Sequence, residues 1–125
     1  MKIIILTRDI KDGEKLRNSL RIFDSAFENL CCFTKKEVLN KTTDLSDCEY
    51  IFSTWYMPNF TEEEIHVLFP SLKCVFYAAG TVKYFAEPLL RSGIRVFSAA
   101  KANGIPVAEY TAAQIILAGK GYYQA

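Results

Sequence analysis

Ala78-Ala79-Gly80-Thr81 closes an apolar run, Cys74 to Ala79, that reads as a β-strand. A glycine at a strand end lets the backbone approach a ligand. If the following N–H groups open a helix, they bind carboxylate or phosphate oxygens, so a small anionic substrate fits Ala79 and Gly80. The plainer role for Gly80 is a tight turn. Asn103, expected on the loop after a later strand, carries an amide that both donates to and accepts from a substrate oxygen, although Asn103-Gly104 also suits a simple turn. Trp55, Tyr56 and Met57 follow another strand-like run, and their rings and thioether can wall a pocket or fill a core.

Other polar residues read as structural. His66 falls inside the expected helix 62–69, away from the strand ends, and suits the surface or ordinary packing. Glu109 is expected in the first turn of the last helix, beside that helix's own N–H groups. Cys31, Cys32, Cys48 and Cys74 form no C-x-x-C, and reduced, buried thiols are expected in place of a disulfide or a metal site. The sequence has no acid–base pair at the strand ends, no His/Cys/carboxylate cluster, no G-x-S-x-G and no P-loop.

Such residues need a frame that brings strand ends together. Residues 2–6 form a continuous apolar run, the pattern of a strand covered on both faces. From Asp12 the spacing becomes helical, with Leu16, Leu20, Phe23 and Phe27 on one stripe. A strand over 30–33 leads into Thr34-Lys35-Lys36-Glu37, a capping box. Residues 49–53 form a third strand, followed by a second box in which Thr61 faces Glu64, with Phe60 and Ile65 placed as a hydrophobic staple. Strands at 73–78 and 94–97 flank a helix over 83–91 around Pro88. Strands alternating with helices imply parallel pairing, hence an α/β flavodoxin-like open parallel five-stranded sheet, order 2-1-3-4-5, with helices on both faces.

The last helix is expected from Pro106. Val107, Ala108, Thr111, Ala112, Ala113, Ile115, Ile116 and Leu117 leave it little polar face, so it needs cover from a second domain or another copy of the chain. The chain has 125 residues, half of them hydrophobic, enough for one core. Its 15 basic and 14 acidic residues give a net charge of +1, so no nucleic-acid or membrane partner is expected. With no apolar run near the roughly 20 residues that span a bilayer, a cytoplasmic location is expected. Ser53-Thr54 stands where a phosphoacceptor receiver needs an aspartate, and Thr7-Arg8-Asp9-Ile10-Lys11 is unlike a flavodoxin's phosphate loop.

In order, Ala79-Gly80, Gly93-Ile94-Arg95-Val96, Asn103 and Val107-Ala108-Glu109-Tyr110-Thr111 resemble the N-terminal, substrate-binding part of the D-isomer-specific 2-hydroxyacid dehydrogenases, over roughly residues 49 to 120. The resemblance implies a substrate-binding (catalytic) domain at 1–105 and a long apolar interdomain helix at 106–125 leading into a Rossmann domain. It implies a small 2-oxo or 2-hydroxy carboxylate held by the N–H groups of Ala79 and Gly80 and assisted by Asn103, with Tyr56 and Met57 shaping the pocket. Val107 and Thr111 would lie near the nicotinamide of NAD or NADP in a full-length enzyme, which is expected to be a homodimer. The chain departs from the family at Thr81-Val82-Lys83, where an Asp usually follows the glycine in a G-x-D pattern. The family's G-x-G-x-x-G and its catalytic Arg, Glu and His have no counterpart in the chain. These residues alone are therefore expected to be inactive and to bind no cofactor, as a truncated or shortened form of the enzyme. The other expectation is a stand-alone flavodoxin-like module that binds or dimerises without catalysis.

Overall fold

The computed structural model describes residues 2–124. Its main elements are β1 (Ile3–Leu6), α1 (Ile10–Phe23), β2 (Cys32–Phe33), α2 (Lys35–Leu39), β3 (Tyr50–Ser53), α3 (Glu62–Leu68), β4 (Cys74–Tyr77), α4 (Ala86–Arg91), β5 (Arg95–Ser98) and α5 (Ala100–Gly119). The five strands form one parallel sheet in the order β2-β1-β3-β4-β5, as the alternation of strand and helix predicts. The register aligns Cys32, Ile5, Phe52, Phe76 and Phe97 in a single row across all five strands.

Local chemistry sets the helix starts. Asp9 accepts a hydrogen bond from Asp12 N at 2.9 Å and begins α1. Both predicted capping boxes form: Thr34 N and Thr34 Oγ1 each donate to Glu37 at 2.8 Å, and Thr61 N donates to Glu64 at 3.0 Å. The stripe expected from Leu16 to Phe27 breaks, because Asp24 leaves the helix in an extended conformation and caps a separate turn, Ser25–Phe27. Phe23 is therefore 86% exposed, while Phe27 stands edge-on to Phe52 at 5.7 Å.

One face of the sheet carries the main core. Ile4, Leu6, Ile51, Val75 and Tyr77 are buried there together with Val38 of α2, Ile65 of α3 and Leu89 of α4. On the other face α1 covers the β1–β2 side, where Gly13 is so close to the strand that a Cβ would stand 2.9 Å from Cys32 Cβ. Beyond the Phe27–Phe52 contact, cover on that face thins toward β5. Phe52, Phe76 and Phe97 stack across the face at 5.1 and 5.6 Å, and Phe97 is 51% exposed.

The last helix begins earlier than its sequence suggests. α5 starts at Ala100, Pro106 lies inside it, and none of its residues is buried. Asn103 N donates to Ala99 O at 2.8 Å, so the helix is already running before the proline, whose fixed φ is compatible with it. Asn103 is thus helical and not on a loop, and Glu109 sits mid-helix, too far along to meet the first-turn N–H groups. All four cysteines are free, but only Cys48 and Cys74 are buried; Cys31 is exposed because β2 shortens to two residues.

Candidate functional site

The carboxyl ends of parallel strands gather at one edge of such a sheet, where ligands bind in open α/β folds. At β4 the ladder ends with Ala78 N donating to Ser53 O at 2.8 Å and Ala99 N donating to Tyr77 O at 3.0 Å. Beyond it, the amides of Ala79 and Gly80 have no acceptor among the described residues. Ala79 is fully buried and Gly80 half-buried. A buried N–H without a partner is costly, and a carboxylate oxygen satisfies it.

Asn103 comes to the same place from β5. Ser98 Oγ accepts from Ala100 N at 3.2 Å and starts α5, whose first turn then carries Asn103 toward β4. Asn103 Nδ2 lies 3.4 Å from the point where a Cβ on Gly80 would stand. The Asn103 amide therefore lies close beside Gly80. The loop that carries the two free main-chain N–H groups thus has the Asn103 carboxamide, another uncharged donor, beside its glycine. No helix opens directly after Gly80: α4 waits until Ala86, with a turn in which Phe85 N and Ala86 N both donate to Val82 O. Any anion held here rests on loop amides and Asn103, without a helix N-terminus.

Tyr56 and Met57 part company. Met57 is 2% exposed and belongs to the core, so it supports the edge from beneath. Tyr56 is exposed with φ 60°, a left-handed conformation that few non-glycine residues adopt. Its ring lies 4.5 Å beneath the Arg8 guanidinium. Arg8 Nε donates to Asp12 Oδ2 at 2.9 Å and lies 3.3 Å from Asp9 Oδ2. Arg8, Asp12 and Tyr56 border a cleft of about 500 Å³ shared with Lys15, Trp55 and Ala78. The sequence signal for Arg8 was its place at the carboxyl end of β1; its pairing with Tyr56 depends on the turn of the β3 loop.

Tyr77 is buried at the end of β4, its hydroxyl 3.2 Å from that of Tyr84. Burial first, and the Tyr84 hydrogen bond second, push the Tyr77 phenol up, so it stays protonated at neutral pH. Val107 and Thr111 lie one turn apart on exposed α5, where the Thr111 hydroxyl donates to Val107 O at 2.8 Å. His66 is exposed on α3, its Nδ1 2.8 Å from Glu62 O. Among the described residues, no cluster of His, Cys, Asp or Glu is arranged to hold a metal, and no helix is long and apolar enough to cross a membrane. Comparison with family models, with curated proteins and with solved structures finds no match to this chain.

Proposed function

We propose that these residues form the substrate-binding side of an NAD(P)-dependent oxidoreductase that interconverts 2-oxo acids and D-2-hydroxy acids. The observation that carries this reading is the meeting of Gly80 and Asn103: the loop after β4, with its unpartnered amides, has a carboxamide from α5 beside its glycine. Uncharged donors in a partly buried site can grip a carboxylate and fix which face of the neighbouring carbonyl is presented. The dinucleotide supplies the hydride chemistry when bound. Val107 and Thr111 fit a wall beside its nicotinamide, since the Thr111 hydroxyl is occupied within the helix and Val107 is 58% exposed. Among the described residues there is no glycine-rich cradle for a pyrophosphate and no histidine at the strand ends. The chain's own part is therefore to bind and orient, and it is expected to be inactive alone.

Amide-resolved NMR of the chain titrated with pyruvate tests this. The Ala79 and Gly80 N–H signals and the Asn103 carboxamide should move together, and Asn103→Ala should weaken binding about tenfold, the scale of one hydrogen bond to a charged group. Absence of movement at all three would overturn the reading. A second reading, a binding or dimerisation module without catalysis, is favoured by the apolar α5, none of whose residues is buried. It predicts a homodimer that ignores 2-oxo acids.

A further inference from the structure

We infer that the Arg8 cleft receives a second carboxylate of the substrate, so that the preferred 2-oxo acid is a dicarboxylate. This inference rests on the function proposed above and adds the substrate class. Arg8 is held but not used up. Its Nε is fixed by Asp12 at 2.9 Å and by Asp9 at 3.3 Å, while its terminal Nη groups have no hydrogen-bond acceptor among the described residues. The Tyr56 ring, 4.5 Å away, supports the guanidinium from one side. An arginine anchored through Nε and backed by a ring presents its remaining donors as a planar fork, which matches a carboxylate.

The neighbouring charges favour a monoanionic group. Among the residues that line the cleft, Arg8 and Lys15 outweigh Asp12, with Lys15 Nζ 3.8 Å from Asp12 Oδ1, and this small positive excess matches one carboxylate better than a phosphate dianion. A carboxylate asks for less. The cleft ends at the start of the proposed carboxylate loop, since Ala78, which lines it, directly precedes Ala79 and Gly80 in the chain. Half-exposed Trp55 gives the carbon chain between the two acid groups an apolar wall. At about 500 Å³ the cleft has room for the distal end of such a molecule.

The test compares pyruvate with 2-oxoglutarate, on the chain itself and on Arg8→Gln, by NMR titration. The wild-type chain should bind 2-oxoglutarate about tenfold more tightly, and Arg8→Gln should erase that difference while leaving pyruvate affinity unchanged. Arg8 is half-exposed, so the variant should keep the wild-type amide dispersion. Equal affinities in the wild type, or equal weakening of both acids by Arg8→Gln, would overturn the inference and reduce Arg8 to a brace for Tyr56. Movement at Gly80 with none at Trp55 and Tyr56 would sink this inference alone. Movement at Trp55 and Tyr56 without any at Gly80 would sink the proposed function and leave Arg8 as an anion site; silence at both would remove both.

Discussion

Gly13 owes its identity to a missing Cβ, and Gly80 does not. At Gly80 a Cβ would lie 3.4 Å from Asn103 Nδ2, an ordinary contact with the end of a side chain that can move. At Gly13 the gap faces the strand: a Cβ would meet Cys32 Cβ at 2.9 Å and Thr7 Oγ1 at 3.1 Å. Neither neighbour can swing aside, since Cys32 Cβ is fixed to the backbone of β2 and Thr7 is fully buried with its hydroxyl on Asp9 O. Gly13→Ala should therefore push α1 off the sheet and cost about 1–3 kcal/mol despite the better helix propensity of alanine. Urea unfolding monitored by circular dichroism measures this, and a variant as stable as the wild type would show that α1 can shift freely. Sequence made Gly80 visible because a glycine at a strand end is a local signal. Gly13 and Arg8 were not legible as special, because each acquires its role from a partner distant in the chain, Cys32 for one and Tyr56 for the other.

Among the elements, α2 and α3 were legible to within a residue because Thr-x-x-Glu is complete in the sequence and needs no tertiary partner. The start of α5 was not, since Asn103, Gly104 and Pro106 are turn formers by local propensity, yet the helix is nucleated upstream at Ala100. The α2 box has a pH signature. The Thr34 N–H first, and the Thr34 hydroxyl second, hold the Glu37 carboxyl below its ordinary range. A carboxylate with a folded-state pKa below its unfolded one stabilises the fold above the unfolded value, about 4.3, and that contribution is lost as the pH falls through the folded pKa. Glu37→Gln should be less stable than the wild type at neutral pH, and the two unfolding midpoints should converge in acid. A gap that stays constant with pH would mean that the charge of Glu37 contributes nothing to the cap.

At the scale of the whole molecule the two faces of the sheet are unequal, and this bears on how the chain behaves in solution. One face is closed by α2, α3 and α4 over a continuous core; the other is closed by α1 on its β1–β2 side, and its cover thins toward β5. Phe97 remains half-exposed at the end of the aromatic row, and α5 adds Ile105, Val107, Tyr110, Ile115 and Ile116, all exposed. The sequence showed that α5 needs cover, because its apolar residues run nearly all round the helix. It did not show that the sheet would leave it uncovered, since that depends on where the chain travels after β5. Apolar patches of this extent mark interaction surfaces in proteins that are otherwise well folded. The chain should therefore associate with itself in a concentration-dependent way, and Ile116→Lys should shift the equilibrium toward monomer. Because Ile116 is exposed and outside the core, the substitution should leave the unfolding midpoint of the sheet unchanged. Sedimentation velocity over a range of concentrations gives the result. A monomer at every concentration would mean that exposed α5 does not drive association. Association unaltered by Ile116→Lys would move the contact from α5 to the aromatic row of β3, β4 and β5, where Phe97→Lys would be the substitution that disperses it.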